Sequence, residues 1–175
     1  MNNKIELLFA SCLEQEVDAI VNAANKYLIN GLGICGAIFR KAGIKELTEA
    51  CNKFNTPLKD GEAIITPSFN IKNAKYIIHA VGPDFNRSRD AFDKLFDAYY
   101  NSLLLLKENN LHSISFPLIS SGIFAGNLEN PSLISAKYCL KAYESFIKKY
   151  NYNIDVKLCA YTKEEYYSIK ELFNS

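Results

Sequence analysis

The first concentration of residues able to do chemistry is Val21-Asn22-Ala23-Ala24-Asn25-Lys26-Tyr27-Leu28-Ile29-Asn30-Gly31-Leu32-Gly33-Ile34-Cys35-Gly36-Ala37-Ile38. A buried run, Ala19 to Val21, stops in two carboxamides, and a glycine-bearing loop then leads into an apolar helix. Asn22 and Asn25 place amide donors and acceptors at the end of a strand, and the glycines let the backbone approach a ligand through φ angles that side chains forbid. A helix starting near Gly33 or Ile34 aims its free N–H groups back into that loop, an arrangement that attracts phosphate.

A second stretch repeats the plan. In Phe116-Pro117-Leu118-Ile119-Ser120-Ser121-Gly122-Ile123-Phe124-Ala125-Gly126-Asn127, an apolar strand over 114–118 runs into a Ser/Gly loop ahead of a helix. Either loop alone reads as an ordinary strand-to-helix turn; two of them, with the paired asparagines, suit the two phosphates of a diphosphate. Phe124 is a large ring between Gly122 and Gly126, which is costly in a loop unless it covers something. The glycines also match G-x-G-x-x-G at Gly31, Gly33 and Gly36. A nicotinamide Rossmann site, however, needs the first glycine directly after the strand and an acid closing the next strand about 20 residues on. Gly31 lies well past Asn22, and the downstream region Lys53 to Pro57 offers neither acid nor strand.

The elements that must position these loops alternate. Strands are expected near residues 4–10, 18–22, 62–66, 75–81, 113–118 and 154–160, and helices near 34–42, 44–54, 88–109, 131–149 and 163–173. In the third helix Phe92, Leu95, Phe96, Tyr99, Leu103 and Leu106 recur at helical spacing as one buried face. The fourth opens on Asn130 as N-cap before Pro131 and repeats Leu133, Ala136, Leu140 and Tyr143; Thr162 with Glu165 predicts a capping box for the fifth. This alternation means a largely parallel sheet between helix layers, with ligands outside the carboxyl ends of the strands.

The 175 residues, 49% apolar with a formal net charge of +1, suit one domain spanning 1–175. No run approaches the roughly 18 apolar residues of a membrane span, and Met1 to Glu6 lacks the apolar core of a signal peptide. A cytoplasmic, monomeric protein is expected. The five cysteines are scattered, with only His79 and His112 beside them, so neither a metal site nor a disulfide framework is suggested. Lys26, Arg40, Lys41 and Lys45 are followed at once by Glu46 and Glu49, a solvated face rather than a nucleic-acid patch. His79, inside an apolar strand, reads as a core histidine without a catalytic role.

Together these residues resemble a macrodomain, the ADP-ribose-binding module. Asp18 to Asn25 resembles its first signature, Gly31 to Ile38 its catalytic loop, Ile78-His79-Ala80-Val81-Gly82-Pro83 its central strand, and Pro117 to Phe124 its diphosphate loop. The nearest branch is the hydrolase-like one of viral and bacterial macrodomains. The resemblance implies a three-layer α/β/α fold with a mixed, mostly parallel six-stranded sheet, no cofactor, and ADP-ribose and ADP-ribosylated proteins as partners. It assigns ligand contacts to Ser11, Cys12, Asn22, Asn25, Gly31, Gly33, Ile34, Cys35, Ser120, Ser121, Gly122, Ile123, Phe124 and Tyr161. It gives the catalytic work to Asn25, on the distal ribose hydroxyls, to Gly33, shaping the ribose pocket, and to Phe124, walling it. For Asn22 a second reading stands: its amide satisfies loop backbone.

Departures from the family pattern carry meaning. Cys35 stands where many hydrolytic members have Asp, and Phe39 where they often carry His. A nucleophilic cysteine needs a thiolate, and no basic partner adjoins Cys35 in sequence, so it reads as a small filler beside the ligand. What remains is to hold the sugar and position a water, with the ligand's own phosphate holding that water. Ser11 replaces an Asp that would accept from the adenine amino group, and a neutral hydroxyl discriminates less than an ion. Tyr161 either stacks on the base or covers the sheet end. Hydrolysis of mono-ADP-ribose from acidic residues of modified proteins is the expected activity. A non-catalytic reader of such proteins, and a hydrolase of O-acetyl-ADP-ribose or ADP-ribose 1″-phosphate, are the alternatives.

Overall fold

Apolar residues alternate along the strands with period two, and in the computed structural model, which describes residues 2–174, that alternation builds two cores. Strands β1 (Lys4–Phe9), β2 (Ala19–Ala24), β3 (Ala63–Pro67), β4 (Tyr76–Val81), β5 (Ser113–Phe116) and β6 (Asp155–Ala160) form one sheet in the order β1-β6-β5-β2-β4-β3. Every pairing is parallel except β3 with β4. Helices are α1 (Gly33–Ala42), α2 (Ile44–Cys51), α3 (Ala91–Glu108), α4 (Pro131–Lys149) and α5 (Lys163–Phe173). Val21, Ile78, Phe116 and Leu158 pack toward α3, α4 and α5, whereas Ile20 and Ile77 pack toward α1 and α2. The sandwich is the expected three-layer α/β/α arrangement with a mixed, mostly parallel six-stranded sheet.

Three local expectations are corrected. Strand β2 does not stop at Asn22: pairing with β4 continues through Asn22↔His79, Ala23↔Ala80 and Ala24↔Val81, so Asn22 sits inside the sheet. Phe92 does not join the buried face of α3, formed by Leu95, Tyr99, Leu103 and Leu106; it is 43% exposed and packs at the rim against Phe85 and Tyr138. Asn130 precedes Pro131 in a left-handed conformation and makes no side-chain cap. The capping box of Thr162 and Glu165 is present. Two short 3₁₀ turns, Cys12–Glu14 and Ile123–Ala125, interrupt loops that periodicity leaves blank.

The loop after β5 is anchored by a closed ring of three hydrogen bonds. The Ile119 N–H donates to Tyr99 Oη at 3.0 Å, and Ser135 Oγ donates to the Ile119 carbonyl at 2.6 Å. The 2.6 Å contact between Tyr99 Oη and Ser135 Oγ therefore has the phenol as donor, since the serine proton is already committed. Tyr99 and Ser135 are both buried, so burial pushes the phenol pKa up and keeps it protonated. Tyr99→Phe strands the Ile119 N–H and a Ser135 lone pair in the core. Urea unfolding should show a loss of about 1–3 kcal/mol for that variant.

Candidate functional site

Parallel pairing places the carboxyl ends of β1, β6, β5, β2 and β4 along one edge, about 19 Å across at roughly 4.8 Å per strand. Apart from Asn22, which lies inside β2, each sequence-predicted site residue lies in a segment that leaves this edge. The loop after β2 is folded around Asn25. Its Nδ2 donates to the Ile29 carbonyl at 2.8 Å, and its Oδ1 accepts from the N–H groups of Tyr27 and Ile29, both at 3.2 Å. Gly31 packs close to Asn25 Nδ2 and Cys35 Sγ, and Gly33 opens α1 with φ +60, a conformation that favours glycine. At this helix start the N–H groups of Gly33, Ile34 and Cys35 have no acceptor among the described residues.

Beneath the loop runs a buried polar chain. Thr66 Oγ1 donates to the Pro67 carbonyl and so accepts from His79 Nε2–H at 3.0 Å. That fixes the tautomer: His79 Nδ1 is the acceptor for Asn22 Nδ2 at 3.1 Å. Asn22 Nδ2 also reaches Cys35 Sγ at 3.8 Å, and the thiol donates to the Ile29 carbonyl at 3.5 Å. Asn22 Oδ1 has no partner among the described residues. His79 is fully buried, and desolvation pushes its pKa down to about 3, so the ring stays neutral as a core histidine. Desolvation likewise raises the Cys35 thiol, opposed only in part by hydrogen bonds from Asn22 and the Gly31 backbone. Cys35 is a neutral thiol, not a thiolate.

On the other side of the crevice, the two serines of the loop after β5 spend their hydroxyls on main-chain carbonyls. Ser120, at φ +59, donates its hydroxyl to the Pro83 carbonyl at 2.7 Å, and Ser121 donates to the Leu118 carbonyl at 2.8 Å. The N–H groups of Ser120, Ser121, Gly122, Ile123 and Phe124 have no acceptor among the described residues. Both serine hydroxyls are thus committed to main-chain carbonyls, a pairing the sequence could not reveal. Ile123 projects fully into the open, 81% exposed. Two facing loops with unpaired amides make a cradle for an elongated anion.

The ends of the edge differ. At the β1/β6 end, the Ser11 hydroxyl accepts from Leu13 N–H at 3.3 Å and Tyr161 is 74% exposed. Asn22, Cys12 and Cys35 turn their side chains into the interior at 1%, 2% and 5% exposure. These three side chains are held by interior partners: Cys12 Sγ donates to the Val21 carbonyl, and Asn22 Nδ2 reaches His79 and Cys35. At the β4 end a cavity of about 420 Å³ is lined by Asn25, Phe124 and Gly82 together with Lys26, Tyr27, Asp60, Asp84, Arg87 and Ser88. Asp60, Asp84, Arg87 and Ser88 were not singled out in the sequence. For Asp84, Arg87 and Ser88 the available signal was a charged loop directly after β4, whose carboxyl end faces the crevice; Asp60, between α2 and β3, carried none.

Comparison with known proteins agrees with this geometry. The family model described as Macro domain matches residues 21–131. An uncharacterized protein of Saccharolobus solfataricus is 42% identical over 98% of this chain and 93% of its own length. A protein of Escherichia fergusonii named O-acetyl-ADP-ribose deacetylase is 36% identical over 94% of this chain and 92% of its own. Among solved structures, the Oceanobacillus iheyensis macrodomain with ADP superposes at a TM-score of 0.88 with 32% identity, covering 98% of this chain and 90% of that one. A Trypanosoma brucei macrodomain in complex with ADP-ribose gives 0.83 with 30% identity, covering 97% of this chain and 69% of that one.

The buried neutral histidine has a pH signature. An unfolded histidine protonates near pH 6.5, while His79 resists protonation until about pH 3, so the unfolded state binds more protons in between. The stability this group contributes is present above about pH 6.5 and is lost as pH falls toward 3. In NMR titration of the folded protein the His79 Cε1–H shift should stay flat from pH 8 down to about 4.

Proposed function

Because the chain belongs to the macrodomain family, we propose that it binds ADP-ribose across the carboxyl edge of its sheet and hydrolyses mono-ADP-ribose from acidic side chains of modified proteins. The observation that carries this reading is the pair of facing loops whose amides, Gly33 to Cys35 and Ser120 to Phe124, have no acceptor among the described residues. In that placement the diphosphate lies on those amides, the adenine lies toward Ser11 and Tyr161, and the distal ribose lies between Asn25 and Phe124. No metal or cofactor enters the proposal. Among the described residues no helix is long and apolar enough to cross a membrane.

The bond to be cut is an ester on the distal ribose. Water adds either at C1″ or at the acyl carbon, and both routes end in free ADP-ribose and the target's carboxylate. Cys35 is not the base, because burial holds its thiol protonated, and His79 is out of reach inside the sheet. Rate enhancement then comes from holding the ribose against Phe124 and setting a water beside the ligand's own phosphate. Asn25 keeps the loop after β2 in shape and presents the sugar, so its removal misplaces the reacting atoms.

A second reading has a specific observation behind it: relatives named O-acetyl-ADP-ribose deacetylase are similar over nearly the whole chain. That ester is chemically alike and smaller. The test follows label on a target mono-ADP-ribosylated on Glu or Asp, in parallel with O-acetyl-ADP-ribose. The proposal expects release of ADP-ribose from the protein, with Asn25→Ala slower by on the order of 100-fold and Cys35→Ala retaining turnover. Turnover of the acetyl ester alone would move the assignment to the small molecule. Label that is captured but never released would leave a reader.

A further inference from the structure

We propose that the open side of β1 docks a second copy of this chain, which adds its own β1 antiparallel about a twofold axis at Ile5 and joins the two sheets into one. The pairing is independent of the ADP-ribose reading: it uses the flank of the sheet, not the carboxyl edge that carries the crevice. It makes a dimer where the sequence alone suggests a monomer.

Main-chain parity leaves β1 open. Lys4 N–H donates to the Ile154 carbonyl at 3.1 Å and Ala10 N–H to the Ala160 carbonyl at 3.0 Å. In a parallel pair alternate residues turn to the same neighbour, so Lys4, Glu6 and Leu8 spend their main-chain groups on β6, while Ile5 and Leu7 turn theirs to the other side. No strand lies there, and the N–H groups of Ile5 and Leu7 have no acceptor among the described residues. The opposite edge of the sheet is blunted: β3 ends on Pro67, which has no N–H to give.

Side chains select the occupant. Ile5 and Leu7 pack with Tyr166 and Phe173 on the α5 face of the sheet. Lys4 and Glu6 alternate onto the other face, where their charges lie 3.5 Å apart with 60% and 31% of their side chains exposed. Antiparallel pairing about Ile5 sets Ile5 against Ile5 and Leu7 against Asn3, so the outward main-chain groups meet as hydrogen-bonded pairs. The same register sets Lys4 opposite Glu6 of the second copy and Glu6 opposite its Lys4, and the four charges alternate in sign around the axis. Pairing about Glu6 would instead bring like charges together, and pairing about Leu7 would match no charges. Beside β1 a cavity of about 210 Å³, lined by residues that include Ile5, Leu7, Tyr166 and Phe173, accepts the apolar side chain of Ile5 from the second copy. A strand that is positive, apolar and negative in turn is the complement of its own antiparallel copy.

The test is sedimentation equilibrium over a concentration series up to about 1 mM, a range that captures a contact made by a single strand. It compares the wild type, Lys4→Glu, Glu6→Lys, and the two single variants mixed in equal amounts. The wild type should dimerise reversibly. Each single variant sets like charges opposite one another at both positions and should associate about tenfold more weakly. In the mixture, unlike chains restore both opposite-charge pairs, so association should return to the wild-type level. A wild type that stays monomeric throughout would overturn the pairing and leave the edge to a strand of another protein. A dimer that Lys4→Glu does not weaken, or weakened variants that mixing fails to restore, would overturn it as well.

Discussion

A backbone N–H without a protein acceptor is left to water or to a ligand. Here several such groups, Gly33 to Cys35 and Ser120 to Phe124, stand together among the described residues on two loops at one edge of the sheet. The parallel register of the sheet is the cause: it sends the segments after β5 and β2 off the same edge, where no neighbouring strand can supply carbonyls. The ring formed by Tyr99, Ser135 and Ile119 anchors one loop, and the Asn25 amide holds the other. Anchored from inside, these loops carry amides without a protein acceptor among the described residues, and an anion with two phosphates is their chemical complement.

The same interior limits which side chains can act as a base. Thr66, His79, Asn22 and Cys35 form a connected polar chain reaching from the β3 edge to the floor of the crevice, which at first sight suggests a proton path. Burial argues against it: the histidine is held neutral and the thiol protonated. What the chain does is tie β3, β4, β2 and α1 to one another below the loop that carries Asn25.

Much of this was legible in the sequence because the signals are local. Alternating apolar runs gave the layers, the glycines at 31 and 33 marked the turn into α1, and Thr162 with Glu165 marked the start of α5 through a contact only three residues long. What was not legible depends on partners distant in the chain. Asn22 looked like a strand end because two carboxamides follow a buried run; only pairing with His79, 57 residues on, shows that the strand continues. Asn130 looked like a cap because of Pro131, yet its backbone turns left-handed and takes the side chain away. The inward hydroxyls of Ser120 and Ser121, and the meeting of Asp60 with Arg87 around one cavity, likewise follow from the assembled sheet edge.

The central claim is that the amides of the two facing loops, rather than side chains, receive the ligand's phosphates. Titration of the ¹⁵N-labelled protein with ADP-ribose, followed amide by amide, tests it most directly. The account predicts saturable shifts concentrated at Gly33 to Cys35 and Ser120 to Phe124, with smaller ones near Ser11 and Tyr161. Saturable binding whose shifts lie elsewhere, with both loops unmoved, would contradict it.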